Sequence, residues 1–189
     1  MKRTFIAIKI NAGVKLLNLL SYFKQALQQE KIKWVDPVIM HITITFLGDT
    51  DEKIVPSVSE IINNTALVNP PFEMIFRGTG IFKNLRDPRV IWIGTEINPK
   101  MQNLKASLDT ELSKFGFEKE SREFRPHLTL GRIKWIKDRS ALQEALEQFQ
   151  DQEVQKELIT ELIYYESILK PEGPQYLPIL KAPLSGRNE

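Results

Sequence analysis

Two four-residue sequence motifs (words) of the same form constrain the fold of this chain more than any other feature. They read HITI from His41 and HLTL from His127, and they contain the only two histidines among the 189 residues. The words lie 86 residues apart, and the segments around them follow the same offset. A pattern that recurs at a fixed spacing predicts two equivalent structural units. We therefore expect the two histidines to occupy equivalent places in the two halves of the molecule.

Both halves predict the same order of elements, namely strand, helix, histidine strand, helix and strand. The paired segments are Thr4–Ile10 with Val90–Thr95, Asn11–Glu30 with Asn98–Gly116, Asp51–Leu67 with Lys137–Gln150, and Phe72–Phe82 with Leu158–Leu169. This mixture favours an α+β class over a doubly wound sheet. We expect a single bilobed domain over residues 1–189, with half-repeats at about 4–82 and 90–169. Two β-sheet lobes related by a pseudo-twofold would face a central cleft, with the helices outside.

The words themselves predict which side chains enter that cleft, because successive side chains of a strand face opposite sides. His41, Thr43 and Thr45 would share one face of the first histidine strand, with Ile42, Ile44 and Phe46 on the other. In the second word, His127 and Thr129 would share a face. If the halves pack about a twofold axis, a small anion can sit between two imidazoles and two hydroxyls.

This arrangement suits in-line displacement at phosphorus. Histidine has an unperturbed pKa of about 6.5, so it gives or takes a proton near neutral pH. One histidine would take a proton from the attacking water while the other gives one to the leaving oxygen. Each such positioned transfer typically contributes about 10²–10⁴-fold in rate. The hydroxyls of Thr43 and Thr129 would bind the non-bridging phosphate oxygens.

Arg132 is a further candidate phosphate ligand, because its guanidinium presents a planar fork of donors. Strict alternation, however, places Arg132 on the face opposite His127. It enters the cleft only if the strand ends or bulges near Gly131, which glycine permits. A charge on the strand surface is the alternative interpretation. The first half has Phe46 at the matching position, so the predicted cleft is asymmetric.

The composition and the absence of known motifs argue against several other kinds of catalytic, metal and membrane site. The chain has no cysteine, which excludes disulfides, thiolate metal sites and cysteine nucleophiles and fits a reducing cytoplasm. Two histidines without an HxH or HExxH word supply few ligands of the usual kind, so we expect no metal and no cofactor. The GxSxG motif that is typical of many serine hydrolases is not present in the sequence. No apolar run approaches the ~18 residues of a membrane span, and Lys9 interrupts the apolar start too early for a signal peptide. We expect a cytoplasmic protein without a membrane segment.

Net charge is only +2, yet the charges are uneven. Basic residues gather around the second word and would attract a phosphate; they are Arg122, Arg125, Arg132, Lys134, Lys137 and Arg139. Acidic residues dominate from Glu144 to Glu166, which we interpret as a solvated helix face.

The paired words resemble the HxTx motifs of the two-histidine (2H) phosphoesterase superfamily. Further segments resemble one branch of it, the RNA 2′,3′-cyclic phosphodiesterases, which are also called 2′-5′ RNA ligases. These segments are the opening RTFIAI from Arg3, KWVD from Lys33, HITITFLG from His41, RPHLTLGR from Arg125, and YES with GPQY near the end.

The resemblance implies a bilobed α+β fold and hydrolysis of an RNA terminal 2′,3′-cyclic phosphate to a 2′-phosphomonoester without a metal. It implies that His41 is the proton donor to the departing 3′ oxygen and that His127 is the proton acceptor that activates water. Thr43, Thr129 and Arg132 carry over as phosphate-binding residues. From the residues alone, the two histidine roles are interchangeable, and the reverse 2′-5′ joining reaction would exchange them.

Other functions stay open at this point. One alternative is a protein that binds RNA ends with little turnover, and another is an enzyme for a different small cyclic or 2′-5′ linked nucleotide. Phe5, Trp34, Trp135 and Tyr176 are candidates for base stacking, although each also suits the core or the rim. As partners we expect RNA ends or cyclic nucleotides that bear a 2′,3′-cyclic phosphate, no membrane, and a monomeric chain.

Overall fold

Two antiparallel sheets and four helices make up the described part of the chain, which in this computed structural model comprises residues 1–119, 123–171 and 173–186. Arg122, one of the basic residues around the second word, lies outside it. In chain order the elements are β1 (Lys2–Lys9), α1 (Val14–Ala26), β2 (Lys31–Trp34), a 3₁₀ turn (Pro37–Ile39), β3 (His41–Thr50), α2 (Val55–Val68), β4 (Phe72–Phe82), β5 (Val90–Thr95), α3 (Pro99–Ser113), β6 (His127–Trp135), α4 (Arg139–Glu147), β7 (Glu153–Ile159), β8 (Glu161–Lys170) and β9 (Gly173–Pro183).

The strands of the two halves are exchanged between the sheets. The first sheet has the order β3-β1-β8-β9, and the second has the order β2-β6-β5-β4-β7. Each histidine strand, β3 or β6, therefore pairs with the first strand of its own half, and that strand pairs in turn with a strand from the other half. The segments β3-β1-β8 and β6-β5-β4 are equivalent in this sense. Neither sheet is complete without strands from both halves.

The helices form where apolar residues recur at helical spacing, and they cover the sheets from outside. Helix α3 buries Met101, Leu104 and Leu108 along one stripe. The Asn98 side chain caps its start by accepting from the backbone N–H groups of Lys100 and Met101. Helices α2 and α3 pack with the first sheet, and α1 and α4 pack with the second. This leaves the concave sheet faces free to form the cleft.

The α+β class and the two-sheet architecture are as predicted, and each predicted helix is present. One predicted strand is wrong. Leu158–Leu169 is divided at Thr160, so that β7 belongs to the second sheet and β8 to the first. The Thr160 carbonyl, which lies between them, accepts a hydrogen bond from the Leu184 N–H at 2.8 Å.

The prediction of a solvated helix face from Glu144 to Glu166 is also wrong for most of its length, because strands β7 and β8 occupy it after the end of α4. In β7 the only buried side chains among the described residues are Val154 and Ile159, and the register shift between Gln155 and Glu153 breaks the regular alternation, so the strand has no clear period of two. Strands β2 and β9 were not predicted. Within the described residues, no helix is long and apolar enough to cross a membrane.

Candidate active site

Two β-bulges at equivalent positions shape the histidine strands. In β6 the pairing with β5 passes from Thr129 to Gly131, which leaves Leu130 as the extra residue. In β3 the pairing with β1 passes from Thr43 to Thr45, which leaves Ile44 as the extra residue. These two residues are again 86 apart. Because a bulge resets the alternation of side chains, residues beyond it change faces.

The bulge in β6 explains how Arg132 reaches the same face of the strand as His127. Leu128 and Leu130 are both buried on the core side, whereas His127, Thr129 and Arg132 line the cleft. The predicted bulge near Gly131 is therefore present, centred one residue earlier. The Val35 N–H donates to the Leu130 carbonyl at 2.8 Å and so secures the bulged residue.

In β3 the same irregularity overturns the predicted faces of two residues. Strict alternation placed Phe46 on the face opposite His41, but it is 54% exposed and lines the cleft, as its position matching Arg132 requires. Thr45 was expected in the cleft, but its Oγ1 is buried and has no hydrogen-bond partner among the described residues. The physical reason is the extra residue Ile44, which shifts the alternation by one position. Thr43, before the bulge, stays on the cleft side.

The cleft between the sheets has a volume of about 800 Å³. All five candidate site residues of the sequence line it, namely His41, Thr43, His127, Thr129 and Arg132. The two histidines stand at the first positions of their strands, and β3 and β6 approach each other across the cleft. The fold thus brings together two imidazoles, two hydroxyls and a guanidinium from opposite halves of the chain.

Both imidazole rings are oriented by the same kind of hydrogen bond. His41 Nδ1 lies 2.8 Å from the Ile39 carbonyl oxygen, and His127 Nδ1 lies 2.8 Å from the Arg125 carbonyl oxygen. A carbonyl oxygen only accepts, so each Nδ1 must carry the proton and donate it. Nε2 is then the nitrogen that gains and loses a proton in each ring. The two rings are equivalent in this respect, and the hydrogen bonds do not distinguish a donor from an acceptor.

Aromatic contacts hold the rings from behind. The ring of His41 lies 5.1 Å from that of Phe5 and meets the ring of Tyr176 edge-on at 5.0 Å, between centroids. The ring of His127 meets Phe82 edge-on at 4.6 Å. Of the aromatics proposed for stacking, Phe5, Trp34 and Tyr176 all line the cleft, but Phe5 is buried against His41. Trp135 is half exposed and is not among the lining residues.

Burial lowers the pKa of both histidines. For His41, desolvation is the main cause; the hydrogen bond to Ile39 opposes it, and the charges of Arg132 and His127 lower the pKa further. For His127, desolvation again dominates, the hydrogen bond to Arg125 opposes it, and Arg132 adds to the lowering. The surroundings of the rings therefore favour two neutral imidazoles, and a bound anion would shift both toward the protonated form.

The cleft is strongly cationic. Among the described residues that line it, five are basic and one, Asp36, is acidic; the basic residues are Arg3, Lys33, Arg132, Lys134 and Lys170. The Asp36 carboxylate is already used, because it accepts from the Val38 N–H at 2.9 Å. A cleft of one charge sign focuses the field and draws in ligands of the opposite sign. Its charge thus suits an anionic ligand larger than one phosphate.

Sequence reasoning found the centre of the cleft but missed parts of its wall. Arg3 lies two residues before Phe5 on β1, so the same alternation that places Phe5 under His41 would have placed Arg3 in the cleft. Trp34, one of the stacking candidates, does line the cleft, and it packs against Gly131, where an added Cβ would come within 2.8 Å of its Cε3 atom. Lys170 is the last residue of β8, and no local signal in the sequence indicates that the β8–β9 hairpin reaches the cleft.

No group of three or more histidine, aspartate or glutamate side chains suited to a metal ion occurs among the described residues.

The sequence has clear relatives. The profile of the LigT-like phosphoesterases matches residues 8–92 and again 93–176. A Methanothermobacter thermautotrophicus protein named RNA 2′,3′-cyclic phosphodiesterase is 34% identical over 176 residues, which cover 92% of this chain and 94% of that protein. A Thermotoga maritima protein of the same name is 34% identical over 185 residues, which cover 97% and 96% of the two chains.

Solved structures share the fold. The crystal structure of TT0787 of Thermus thermophilus superposes with a TM-score of 0.82 at 24% identity, covering 98% of this chain and 100% of that one. Escherichia coli LigT complexed with 3′-AMP superposes with a TM-score of 0.75 at 21% identity, covering 97% and 98%. At these identities the likeness is one of architecture.

Proposed function

The chain belongs to the LigT-like phosphoesterase family, as the paired HxTx words predicted, and we propose that it hydrolyses RNA terminal 2′,3′-cyclic phosphates to 2′-phosphomonoesters. Relatives at 34% identity over most of the chain carry the name RNA 2′,3′-cyclic phosphodiesterase. The observation that carries the proposal is the pair of equivalent imidazoles in one cationic cleft, each held through Nδ1 so that Nε2 is available.

In the proposed reaction, Nε2 of His127 takes a proton from water as the water oxygen bonds to phosphorus. The bond between phosphorus and the 3′ oxygen breaks on the opposite side, and Nε2 of His41 gives its proton to that oxygen. The 2′ ester remains, so the product is a 2′-phosphomonoester with a free 3′ hydroxyl. His127 ends protonated and His41 neutral, and exchange with solvent restores the starting state. The assignment of donor and acceptor rests on the family, because the two rings have equivalent hydrogen bonds.

The phosphate itself would be held by Thr43, Thr129 and Arg132. Hydroxyl and guanidinium donors bind the non-bridging oxygens and stabilise the charge that gathers on them in the transition state. The bound phosphate also favours the protonated form of His41. Its charge offsets that of Arg132 and raises the pKa of His41, so substrate binding favours the protonated form that must act as donor. The mechanism as proposed uses the side chains of the cleft and requires no metal.

The direct test is turnover of adenosine 2′,3′-cyclic phosphate in the presence of excess chelator, with 2′- and 3′-monophosphates separated. We expect the 2′-monophosphate alone. His41→Ala and His127→Ala should each reduce kcat by about 10²–10⁴-fold, since each removes one positioned proton transfer. Lys156→Met serves as a control, because Lys156 lies on β7 and does not line the cleft.

Tight binding of the cyclic phosphate with no product over hours would refute the proposal and favour an RNA-end binding protein. A 3′-monophosphate product would refute the stated direction of ring opening. Loss of turnover in chelator would refute the metal-independent mechanism.

A further inference from the structure

A second, smaller pocket lies on the far side of His41. Its volume is about 240 Å³, and it shares Ile39, His41 and Tyr176 with the main cleft. The edge-on contact between His41 and Tyr176, at 5.0 Å between centroids, separates the two spaces. Strand β9 passes from Gly173 in the main cleft, through Tyr176, to Lys181 in the second pocket. The second pocket therefore continues the cleft along the concave face of the first sheet.

The described lining of this pocket is cationic. Lys9 and Lys181 line it together with Tyr165 and apolar residues, and no aspartate or glutamate is among its described lining residues. Lys9 pairs directly with His41 across β1 and β3, so its side chain starts one strand away from the catalytic ring. Neither lysine forms an ion pair or a side-chain hydrogen bond within the described part of the chain. Two lysines that line one pocket without an ion pair among the described residues suit a phosphate group.

The direction of the reaction indicates which phosphate this would be. If His41 protonates the 3′ oxygen, the ribose that carries this oxygen lies on the His41 side of the reacting phosphorus. An RNA chain leaves that ribose through its 5′ carbon, away from the reacting phosphate. The next phosphodiester along the chain is thereby directed past His41 and Tyr176 toward Lys9 and Lys181.

We propose that the Lys9–Lys181 pocket binds the phosphodiester adjacent to the terminal nucleotide, so that the enzyme prefers cyclic phosphates at the ends of RNA chains over free cyclic mononucleotides. The inference rests on the proposed function and on the role of His41 as donor. With the roles reversed, the ribose would lie on the His127 side and the chain would not reach this pocket.

The test compares two substrates that differ by the single negative charge of the link between their nucleotides. Two dinucleotides ending in a 2′,3′-cyclic phosphate are compared, one with a phosphodiester link and one with an uncharged methylphosphonate link of similar shape. The upstream sugar is a deoxyribose, which keeps the link intact. At low salt we expect KM to be about three- to tenfold lower for the phosphodiester, as two exposed ion pairs would supply. The difference should shrink as salt is added.

In a Lys9→Gln/Lys181→Gln variant, the two dinucleotides should have the same KM, and the cyclic mononucleotide should be hydrolysed as by the parent enzyme. Each single variant should lose part of the preference. Lys156→Met removes one lysine outside both pockets and should keep the preference in full.

Equal KM values for the two dinucleotides in the parent enzyme would overturn the inference, as would a preference that persists in the double variant. Both outcomes leave the proposed function standing if the cyclic mononucleotide is hydrolysed. Failure to hydrolyse any of the three substrates would instead refute the proposed function.

Discussion

Thr43 and Thr45 provide a matched pair of substitutions that tests the bulge in β3. Both lie in one strand two residues apart, and unbroken alternation would place them on the same face. With Ile44 as the extra residue, Thr43 lines the cleft while Thr45 Oγ1 is buried without a hydrogen-bond partner among the described residues. Thr→Val replaces a hydroxyl by a methyl of similar size and keeps the β-branched shape that strands favour.

The two variants should therefore have opposite effects. A buried hydroxyl without a partner costs about 1–3 kcal/mol, so Thr45→Val should raise the free energy of unfolding by about 1 kcal/mol. For 189 residues the entropy of unfolding near the midpoint is about 0.4 kcal/mol/K, which makes this an increase in Tm of about 2–3 °C. Activity should be unchanged. If Thr43 binds the phosphate as proposed, Thr43→Val removes a hydrogen bond to a charged oxygen, worth about 1.5–3 kcal/mol, and should lower kcat/KM by about 10- to 150-fold.

Thermal unfolding and steady-state hydrolysis of adenosine 2′,3′-cyclic phosphate measure both effects in the same preparations. The bulge in β3 is refuted if Thr45→Val loses activity as Thr43→Val does, because both hydroxyls would then face the substrate. The stability prediction is refuted if Thr45→Val is destabilised by more than about 1 kcal/mol, because its hydroxyl would then have a partner in the folded protein.

Three further predictions concern the rest of the cleft. Arg132→Met should lower kcat/KM about 10²-fold by loss of charged hydrogen bonds. Because Arg132 lowers the pKa of both histidines, the acidic limb of the pH profile of kcat/KM should also move to higher pH in this variant. Since burial lowers both pKa values, the unfolded chain takes up protons first as pH falls below about 6.5. The free energy of unfolding should then decrease from pH 7.5 to 5.5 in urea titrations, and it should decrease less in a His41→Asn/His127→Asn variant. Gly131→Ala should cost about 1–3 kcal/mol by the same titrations, since its Cβ would lie 2.8 Å from Trp34 Cε3 and 2.9 Å from Ile32 Cγ2; a loss below about 0.5 kcal/mol would show that β2 moves freely.

The centre of the cleft was predictable because its signal is local and doubled. Each histidine occurs in a strand word with a hydroxyl two residues on, and the repeat predicts that the words face each other. The alternation rule then places Thr43 and Thr129 with the histidines without knowledge of the fold. Glycine at position 131 even indicated where Arg132 would change faces.

The errors arose where the decisive contact is distant in sequence. The extra residue at Ile44 has no glycine beside it, so alternation alone kept Phe46 out of the cleft and Thr45 in it; only the 86-residue offset from Leu130 and Arg132 indicates a bulge there. Lys170 reaches the cleft only because the β8–β9 hairpin is held by pairing with β1, as in Thr4 with Glu166. The division of the last predicted strand at Thr160 depends on the two sheets meeting there, which no local pattern can show.

The exchange of strands between the sheets has a consequence for how the protein is made. Strand β1 pairs with β3 along one edge, and its other edge pairs with β8, which is synthesised more than 150 residues later. Until then an apolar edge that includes Phe5 and Ile6 is unpaired, and open strand edges promote association with other chains. Nascent chains that stop before Glu166 should therefore aggregate or require a chaperone. The two cleft histidines are synthesised before the sheet beneath His41 is complete, so the proposed activity should appear only with the last strands.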